Sequence, residues 1–162
     1  MAEALIRVMG AALLLLGAAG AGFSEIRNIR VRIGELEAAL ALVRHIRESI
    51  GRLTAPLSEI YASFADPRLT ENGFLTLLRN RGMAEALEKT TWRMPERDLE
   101  ILRDLAGRLG RGFPDEQCAL CRYAEDRLEE DLDRLRKAAP GEERLWRSIP
   151  ILSALSLLLL LY

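Results

Sequence analysis

Hydrophobic and charged positions are sharply segregated along the chain. Residues 8–23 and 149–162 contain no charged residue and read VMGAALLLLGAAGAGF and IPILSALSLLLLLY. As helices, these stretches would be about 24 and 21 Å long, against a bilayer hydrocarbon core of about 30 Å. With the neighbouring residues included, we expect residues 1–23 to form an N-terminal transmembrane anchor. We expect residues 149–162 to form a C-terminal transmembrane segment that requires local thinning of the bilayer.

Basic residues flank both apolar segments on the side that faces the middle of the chain. Arg27 and Arg30 follow the first segment, and Arg144 and Arg147 precede the second. Positively charged flanks tend to remain in the cytoplasm. The pattern therefore predicts a cytoplasmic domain of residues 24–148, with both termini on the far side of the membrane.

The N-terminal segment also allows a second interpretation. Ala19-Gly20-Ala21 follows a leucine-rich stretch and is similar to the cleavage site of a secretory signal peptide. Cleavage after Ala21 would release a secreted or periplasmic helical binding module. The leucine-rich C-terminus of that module would then associate with lipid or with a partner. The arginines after the segment favour the retained anchor, because they mark its C-terminal side as cytoplasmic.

In the middle domain, apolar residues first recur at steps of three and four. This stripe is typical of one amphipathic helix of about 28 residues. Gly51 and the pair Ala55-Pro56 predict its end, because proline restricts the residue before it and suits the first turn of a new helix. The stripe consists of Ile26, Ile29, Ile33, Leu36, Leu40, Val43, Ile46, Ile50 and Leu53.

Turn and capping residues divide the rest of the domain into shorter helices. No stretch shows the alternation and β-branched enrichment of a strand. We therefore expect an all-α fold, a small helical bundle between two terminal transmembrane helices. The predicted helices cover residues 56–65, 74–80 and 83–90, then a segment from Met94-Pro95 to the terminators Gly110 and Gly112, and finally residues 114–138, which Pro140-Gly141 should end.

Charge is nearly balanced in the middle domain, which limits the classes of partner. Of the 47 Lys, Arg, Asp and Glu residues in the chain, all but Glu3 and Arg7 lie between Ser24 and Arg147. Nucleic-acid binding requires a net basic domain or a basic stripe, so we expect none. In the last predicted helix, the acidic residues alternate with arginines at helical spacing, which predicts a solvated face with salt-bridge pairs.

The chain contains few groups suited to catalysis. Cys118 and Cys121 form a C-x-x-C, which raises the hypothesis of a small thiol enzyme or of half a zinc site. No further ligand pair accompanies them, so buried small side chains are the favoured interpretation. His45 has no second histidine as a partner for metal binding or proton transfer. We expect no catalytic residue, no cofactor and no metal site.

Three short motifs occur in a recognisable order. TAPLSEI covers residues 54–60, MAEAL covers residues 83–87, and LAGRLG at 105–110 is followed by Gln117. With the two apolar ends, this order resembles the stage III sporulation protein AB family, whose members resemble the cytoplasmic domain of the type II secretion platform protein. The chain departs from the family pattern in three places. Met83 stands for a usual Trp, Leu105-Ala106 for a common Phe-Gly, and Phe113 for a usual Asp.

The resemblance implies a non-enzymatic platform component of the sporulation channel between mother cell and forespore. The protein would lie in the outer forespore membrane, with its helical domain in the mother-cell cytoplasm. There it would dock a partner secretion-type ATPase and other channel membrane proteins, with further copies of the chain as additional partners.

The candidate partner-binding residues come from two sources. The first group matches the family motifs, in which Pro-Leu-x-Glu opens the second helix and Leu-Gly precedes a downstream Gln. The second group consists of arginines near the Leu-Gly motif that we expect to be exposed, either as partner contacts or, by default, as solvated side chains. The first group is Pro56, Leu57, Glu59, Gly110 and Gln117, and the second is Arg103, Arg108 and Arg111.

Overall fold

The computed structural model describes the backbone of residues 2–52 and 56–161, and the side chains of residues 24, 27–52 and 56–141. Within that part the chain is all-helical and contains no strand, which confirms the all-α class; the predicted transmembrane character of the two ends stays a prediction. The helices are α1 (Ala2–Arg52), α2 (Leu57–Ser63), α3 (Pro67–Glu71), α4 (Phe74–Arg81), α5 (Met83–Lys89), α6 (Glu96–Arg108) and α7 (Pro114–Leu161).

The chain divides into two units. One contains residues 31–135, and the other contains residues 1–30 and 136–162. The predicted membrane anchors, residues 1–23 and 149–162, lie outside the part whose side chains are described. Among the described residues, no helix is both long and apolar enough to cross a bilayer. The following description concerns the unit of residues 31–135.

One hydrophobic cluster, to which every helix contributes, forms the core of this unit. The middle of the stripe predicted for α1 is confirmed, since Leu36, Val43 and Ile46 are fully buried. The first and last members of the stripe, Ile26 and Leu53, lie outside the residues whose side chains are described. Ala39 and Leu42, which lie beside that stripe, are also buried. Helix α1 is therefore enclosed on more sides than the sequence pattern indicated, because short helices cover the flanks that an amphipathic surface helix would leave in water.

Helix α3 is the element that the pattern did not predict. Asp66 caps its N-terminus, since one carboxylate oxygen accepts hydrogen bonds from the backbone N–H groups of Arg68 at 2.9 Å and Leu69 at 3.1 Å. Pro67 occupies the first helical turn. Asp-Pro is thus a helix start as well as a break. Arg68 then ties α3 to α1 by donating to the Gly34 carbonyl oxygen at 3.1 Å.

A buried carboxylate holds the segment before α6. Glu35 on α1 is only 7% exposed. Its Oε2 accepts hydrogen bonds from the backbone N–H groups of Arg93 at 2.7 Å and Met94 at 2.9 Å. Met94 is buried, and a buried backbone donor needs such a partner, because an unpaired donor costs free energy. Glu35 therefore fixes where α6 begins.

The predicted break at Pro140-Gly141 is wrong, because α7 runs from Pro114 to Leu161 without interruption. Proline inside a helix removes one backbone hydrogen bond and costs roughly 3 kcal/mol. Pro140 and Gly141 are both exposed, so water can bind the carbonyl oxygen that loses its partner. The flanking arginine, lysine, alanine and glutamate residues favour helix on either side.

The prediction of a fully solvated charged face on α7 is also wrong at two positions. Glu125 is 7% exposed and Asp131 is 6% exposed. Each is paired with an arginine from another helix, Glu125 with Arg47 at 2.6 Å and Asp131 with Arg97 at 2.9 Å. Sequence spacing indicated pairs along one helix, and Asp131 does form such a pair with Arg134 at 3.3 Å. In addition, Glu125 and Asp131 join α7 to α1 and α6, which the spacing did not indicate.

Candidate interaction surface

The connection between α6 and α7 is held by one side chain. Gly110 and Gly112 in this connection have positive φ angles of 82° and 97°, which glycine adopts without strain. The Oε1 atom of Gln117 accepts a hydrogen bond from the Gly110 N–H at 3.1 Å. The Nε2 atom of Gln117 donates to the Gly112 carbonyl oxygen at 3.1 Å. Gln117 therefore holds the loop closed, because both the oxygen and the nitrogen of its side-chain amide form hydrogen bonds with the loop backbone.

The start of α2 packs against the same loop. A Cβ atom at Gly110 would lie 2.9 Å from the Cδ1 atom of Leu57, closer than real Cβ contacts. Leu57, Gly110 and Gln117, three of the predicted partner-binding residues, are thus brought together in contacts within the chain. Pro56 and Glu59 lie exposed near the start of α2.

A groove of about 530 Å³ lies between the end of α6 and the first turns of α7. Two predicted residues, Arg108 and Arg111, line it and are exposed. The Arg108 guanidinium donates to Asp104 at 3.2 Å. The complete lining is Gly107, Arg108, Arg111, Glu116, Ala119 and Leu120.

A second groove of about 240 Å³ adjoins the first at Leu120, which lines both grooves. Ile101 and Leu105 supply an apolar floor from α6, and Tyr123 on α7 is 59% exposed. We call the two groove linings together the α6–α7 surface. Besides the apolar residues, the second groove is lined by Arg97, Glu100, Asp104, Arg127 and Asp131.

Arg103, the remaining predicted residue, lies outside both groove linings. It is exposed and forms an ion pair with Glu96, which lies about two turns earlier on α6. The hydrogen bond that Arg103 donates to this carboxylate raises the pKa of its guanidinium above the usual value. Sequence reasoning did not identify Leu120 and Tyr123 as surface residues. The sequence feature that could have identified them is their spacing, since an aliphatic and an aromatic residue lie three positions apart on a highly charged helix.

The surroundings of Cys121 disfavour thiol chemistry. Cys121 is fully buried, and burial raises the pKa of its thiol to about 12. Cys118 donates a weak hydrogen bond to the Arg47 carbonyl oxygen at 3.8 Å. A nucleophilic cysteine requires a lowered pKa, so this environment is the opposite of the one that thiol chemistry needs.

The histidine and the acidic residues show no arrangement for chemistry in the described part of the chain. His45 joins α1 to α2, with its Nε2 atom 2.9 Å from the Ser63 hydroxyl. Its ring packs at 5.3 Å from the Phe64 ring. Among the described residues, no three His, Cys, Asp or Glu side chains lie close enough to hold a metal ion.

Comparison with known proteins places the chain in one family. Residues 7–162 match the family described as stage III sporulation protein AB, which is not a known enzyme family. No curated protein and no solved structure matches the chain. Because the family match covers nearly all of its length, the chain belongs to the stage III sporulation protein AB family and is a sporulation-related protein.

Proposed function

We propose that the chain is a non-enzymatic, membrane-anchored platform component of the sporulation channel between mother cell and forespore. Its helical domain lies in the mother-cell cytoplasm and docks the partner secretion-type ATPase through the α6–α7 surface. The two apolar ends anchor it in the outer forespore membrane and contact other channel proteins. Family membership supports the connection with sporulation, and the apolar ends support the anchoring.

The single observation that carries the proposal is the composition of the α6–α7 surface. Protein interfaces combine an apolar centre with a charged rim and are enriched in tyrosine and arginine. Leu120 and the exposed Tyr123 supply the apolar centre, and Arg108 and Arg111 lie at one end of it. The surface is shallow and open, which suits a protein partner better than a small molecule.

The proposal predicts that substitutions on the α6–α7 surface weaken ATPase docking. The full chain is reconstituted in lipid nanodiscs, and its affinity for the partner ATPase is measured by biolayer interferometry. The double variant Arg108→Glu/Arg111→Glu and the single variant Tyr123→Ala should each lower the affinity by about tenfold or more, the effect of losing an interface anchor. Far-UV circular dichroism verifies that the variants remain helical.

A matched control comes from the same helix. Arg122 is exposed on α7 and lines neither groove. Arg122→Glu makes the same charge change as each arginine substitution and should leave the affinity unchanged. If Arg122→Glu weakens binding as much as Arg108→Glu/Arg111→Glu, net charge rather than this surface controls docking. If Tyr123→Ala and the double variant both bind normally, the α6–α7 surface is not the docking site.

A further inference from the structure

The loop between α6 and α7 holds an aromatic side chain out in solvent. Phe113 is 74% exposed. Its backbone N–H donates to Glu116 Oε2 at 3.3 Å, and its carbonyl oxygen accepts a hydrogen bond from the Gln117 backbone N–H at 3.1 Å. The backbone that carries the ring is therefore already ordered, so a partner that buries the ring need not order this loop.

The first groove of the α6–α7 surface, which Phe113 does not line, offers space for such a ring. Its volume is about 530 Å³, and clefts that bind ligands measure about 300–1,000 Å³. Gly107 contributes no side chain to it, and a Cβ atom there would meet nothing within 4 Å. Ala119 and Leu120 supply apolar walls, and the Arg111 guanidinium can stack on the face of an aromatic ring. The groove therefore suits an aromatic occupant.

Two opposite charges line the same groove without pairing. Arg111 is exposed and forms no ion pair with any described residue. Glu116 also forms no ion pair within the described part of the chain, and its Oε2 atom accepts the hydrogen bond from the Phe113 N–H. A second copy of the chain offers an exposed phenyl ring for the groove, an anion for Arg111 and a cation for Glu116. The net charge of the chain is −1 at pH 7, so two copies repel each other little.

We propose that the first groove is the docking site for a second copy of this chain, in a two-fold symmetric dimer. Phe113 of each copy inserts into the groove of the other, and Arg111 of each copy pairs with Glu116 of the other. In such an interface every contact occurs twice, because the same surface is used by both copies.

The dimer would regulate ATPase docking. The second copy covers Arg108 and Arg111, which the proposed function assigns to the ATPase, so self-association and ATPase docking exclude each other at this groove. This consequence rests on the proposed function, whereas the self-association does not.

The test is sedimentation equilibrium of the full chain in a density-matched detergent. We expect a monomer–dimer equilibrium with a Kd on the order of 10 μM, as befits a small interface. Arg111→Glu and Glu116→Arg should each raise the Kd by about tenfold or more, because like charges then face each other at two places in the dimer. Phe113→Ala should also raise it by about tenfold or more, the effect of losing an aromatic anchor.

Mixing the two charge variants separates a contact between copies from a change within one copy. In a mixed dimer, the glutamate introduced at position 111 faces the arginine introduced at position 116, and native Arg111 faces native Glu116. An equimolar mixture of Arg111→Glu and Glu116→Arg should therefore dimerise with a Kd close to that of the unmodified chain. Arg122→Glu is the control, because Arg122 is exposed on α7 and lines neither groove, and it should leave the Kd unchanged.

Any of four results would overturn the proposal. These are a chain that stays monomeric up to about 100 μM, a dimer that Phe113→Ala leaves intact, a mixture of the charge variants that stays monomeric, and an equal loss in Arg122→Glu. If Glu116→Arg does not fold, Arg111→Glu and Phe113→Ala decide the matter, since both must weaken the dimer. The ATPase is absent from these measurements, so failure of ATPase docking remains a distinct finding.

Discussion

At the scale of single residues, the buried carboxylates have opposite effects on stability. Glu35 accepts two backbone hydrogen bonds, whereas Asp98 accepts none among the described residues. A satisfied buried carboxylate stabilises the surrounding backbone, and an unsatisfied one costs free energy. The two residues therefore lead to predictions of opposite sign.

Removing the Glu35 carboxylate should destabilise the domain strongly. Glu35→Ala leaves the N–H groups of Arg93 and Met94 without their acceptor, which should lower the free energy of unfolding by about 2–4 kcal/mol. Glu35→Gln retains an acceptor oxygen and should cost less. Chemical denaturation of the full chain in micelles, followed by circular dichroism, measures the change. Glu71→Ala, at an exposed position on α3, is the control, and an equal loss there would refute the argument.

Replacing Asp98 should have an effect that depends on pH. Burial raises the pKa of the Asp98 carboxyl above its ordinary value of 3.8, although the charges of Arg97 and Arg134 act in the opposite direction. The folded state therefore binds this proton more tightly than the unfolded state, and ionisation of Asp98 costs stability as the pH rises from 3.8 through the folded-state pKa. Asp98→Asn should thus gain stability relative to the unmodified chain over that range, because asparagine does not ionise.

The measurement for this prediction is the unfolding free energy of both proteins at a series of pH values. The difference should be small at acid pH, should grow through the titration range and should then stay constant. If the difference in unfolding free energy between the two proteins is the same at every pH, the pKa of the Asp98 carboxyl is the same in the folded and unfolded states, and the prediction is wrong.

The sequence was least informative about the burial and the pairing of individual charged side chains. The spacing of Glu125 and Asp131 on α7 indicated exposed pairs, but both are buried against arginines of other helices. Pairing across helices depends on how the helices pack, and helical periodicity contains no information on which arginine lies opposite. The lack of a hydrogen bond at Asp98 likewise depends on Arg97 and Arg134 being paired with Asp131, so that these arginines act on Asp98 through their charge alone.

At the scale of elements, two glycines near the end of α6 offer a matched comparison. Gly110 has a φ of 82°, and a Cβ there would clash with Leu57. Gly107 lies inside α6, and a Cβ there would meet nothing within 4 Å. Gly110→Ala should therefore destabilise the domain by about 1–3 kcal/mol. Gly107→Ala should stabilise it by up to about 1 kcal/mol, because alanine favours helix.

Thermal unfolding of the full chain in micelles distinguishes the two glycine variants. The same chemical change should lower the midpoint at residue 110 and raise it or leave it unchanged at residue 107. Equal effects at the two positions would mean that the loop conformation and its contact with Leu57 do not contribute to stability. Gln117, whose side chain bonds the same loop, would then also be expected to tolerate alanine.

The ends of most helices could be predicted from the sequence, because local residues determine them. The end of α1 before Pro56 and the end of α6 before Gly110 follow from proline and glycine chemistry. Helix α3 was missed because five residues are too few for a periodic pattern. The continuation of α7 through Pro140 was missed because proline signals a break only where the flanking helix is weak.

At the scale of the whole molecule, family and fold class could be predicted, but the interaction surface could be predicted only in part. Arg108 and Arg111 were predicted from charge and position, and they line the first groove. Leu120 and Tyr123 were not predicted, because a groove arises only when α6 and α7 lie side by side. The family motifs singled out Leu57, Gly110 and Gln117 as individual residues. That these three residues lie together could be seen only in the folded structure.

The central claim is that two anchors hold a cytoplasmic helical domain at the membrane. Cysteine-accessibility mapping in non-sporulating cells tests it most directly. In a background with Cys118→Ser and Cys121→Ala, single cysteines are placed at the N-terminus, at the exposed Glu130, and after Tyr162. A membrane-impermeant maleimide should label both terminal cysteines in intact cells, and should label position 130 only after permeabilisation. Labelling at position 130 in intact cells would contradict the platform account and favour a secreted helical binding module.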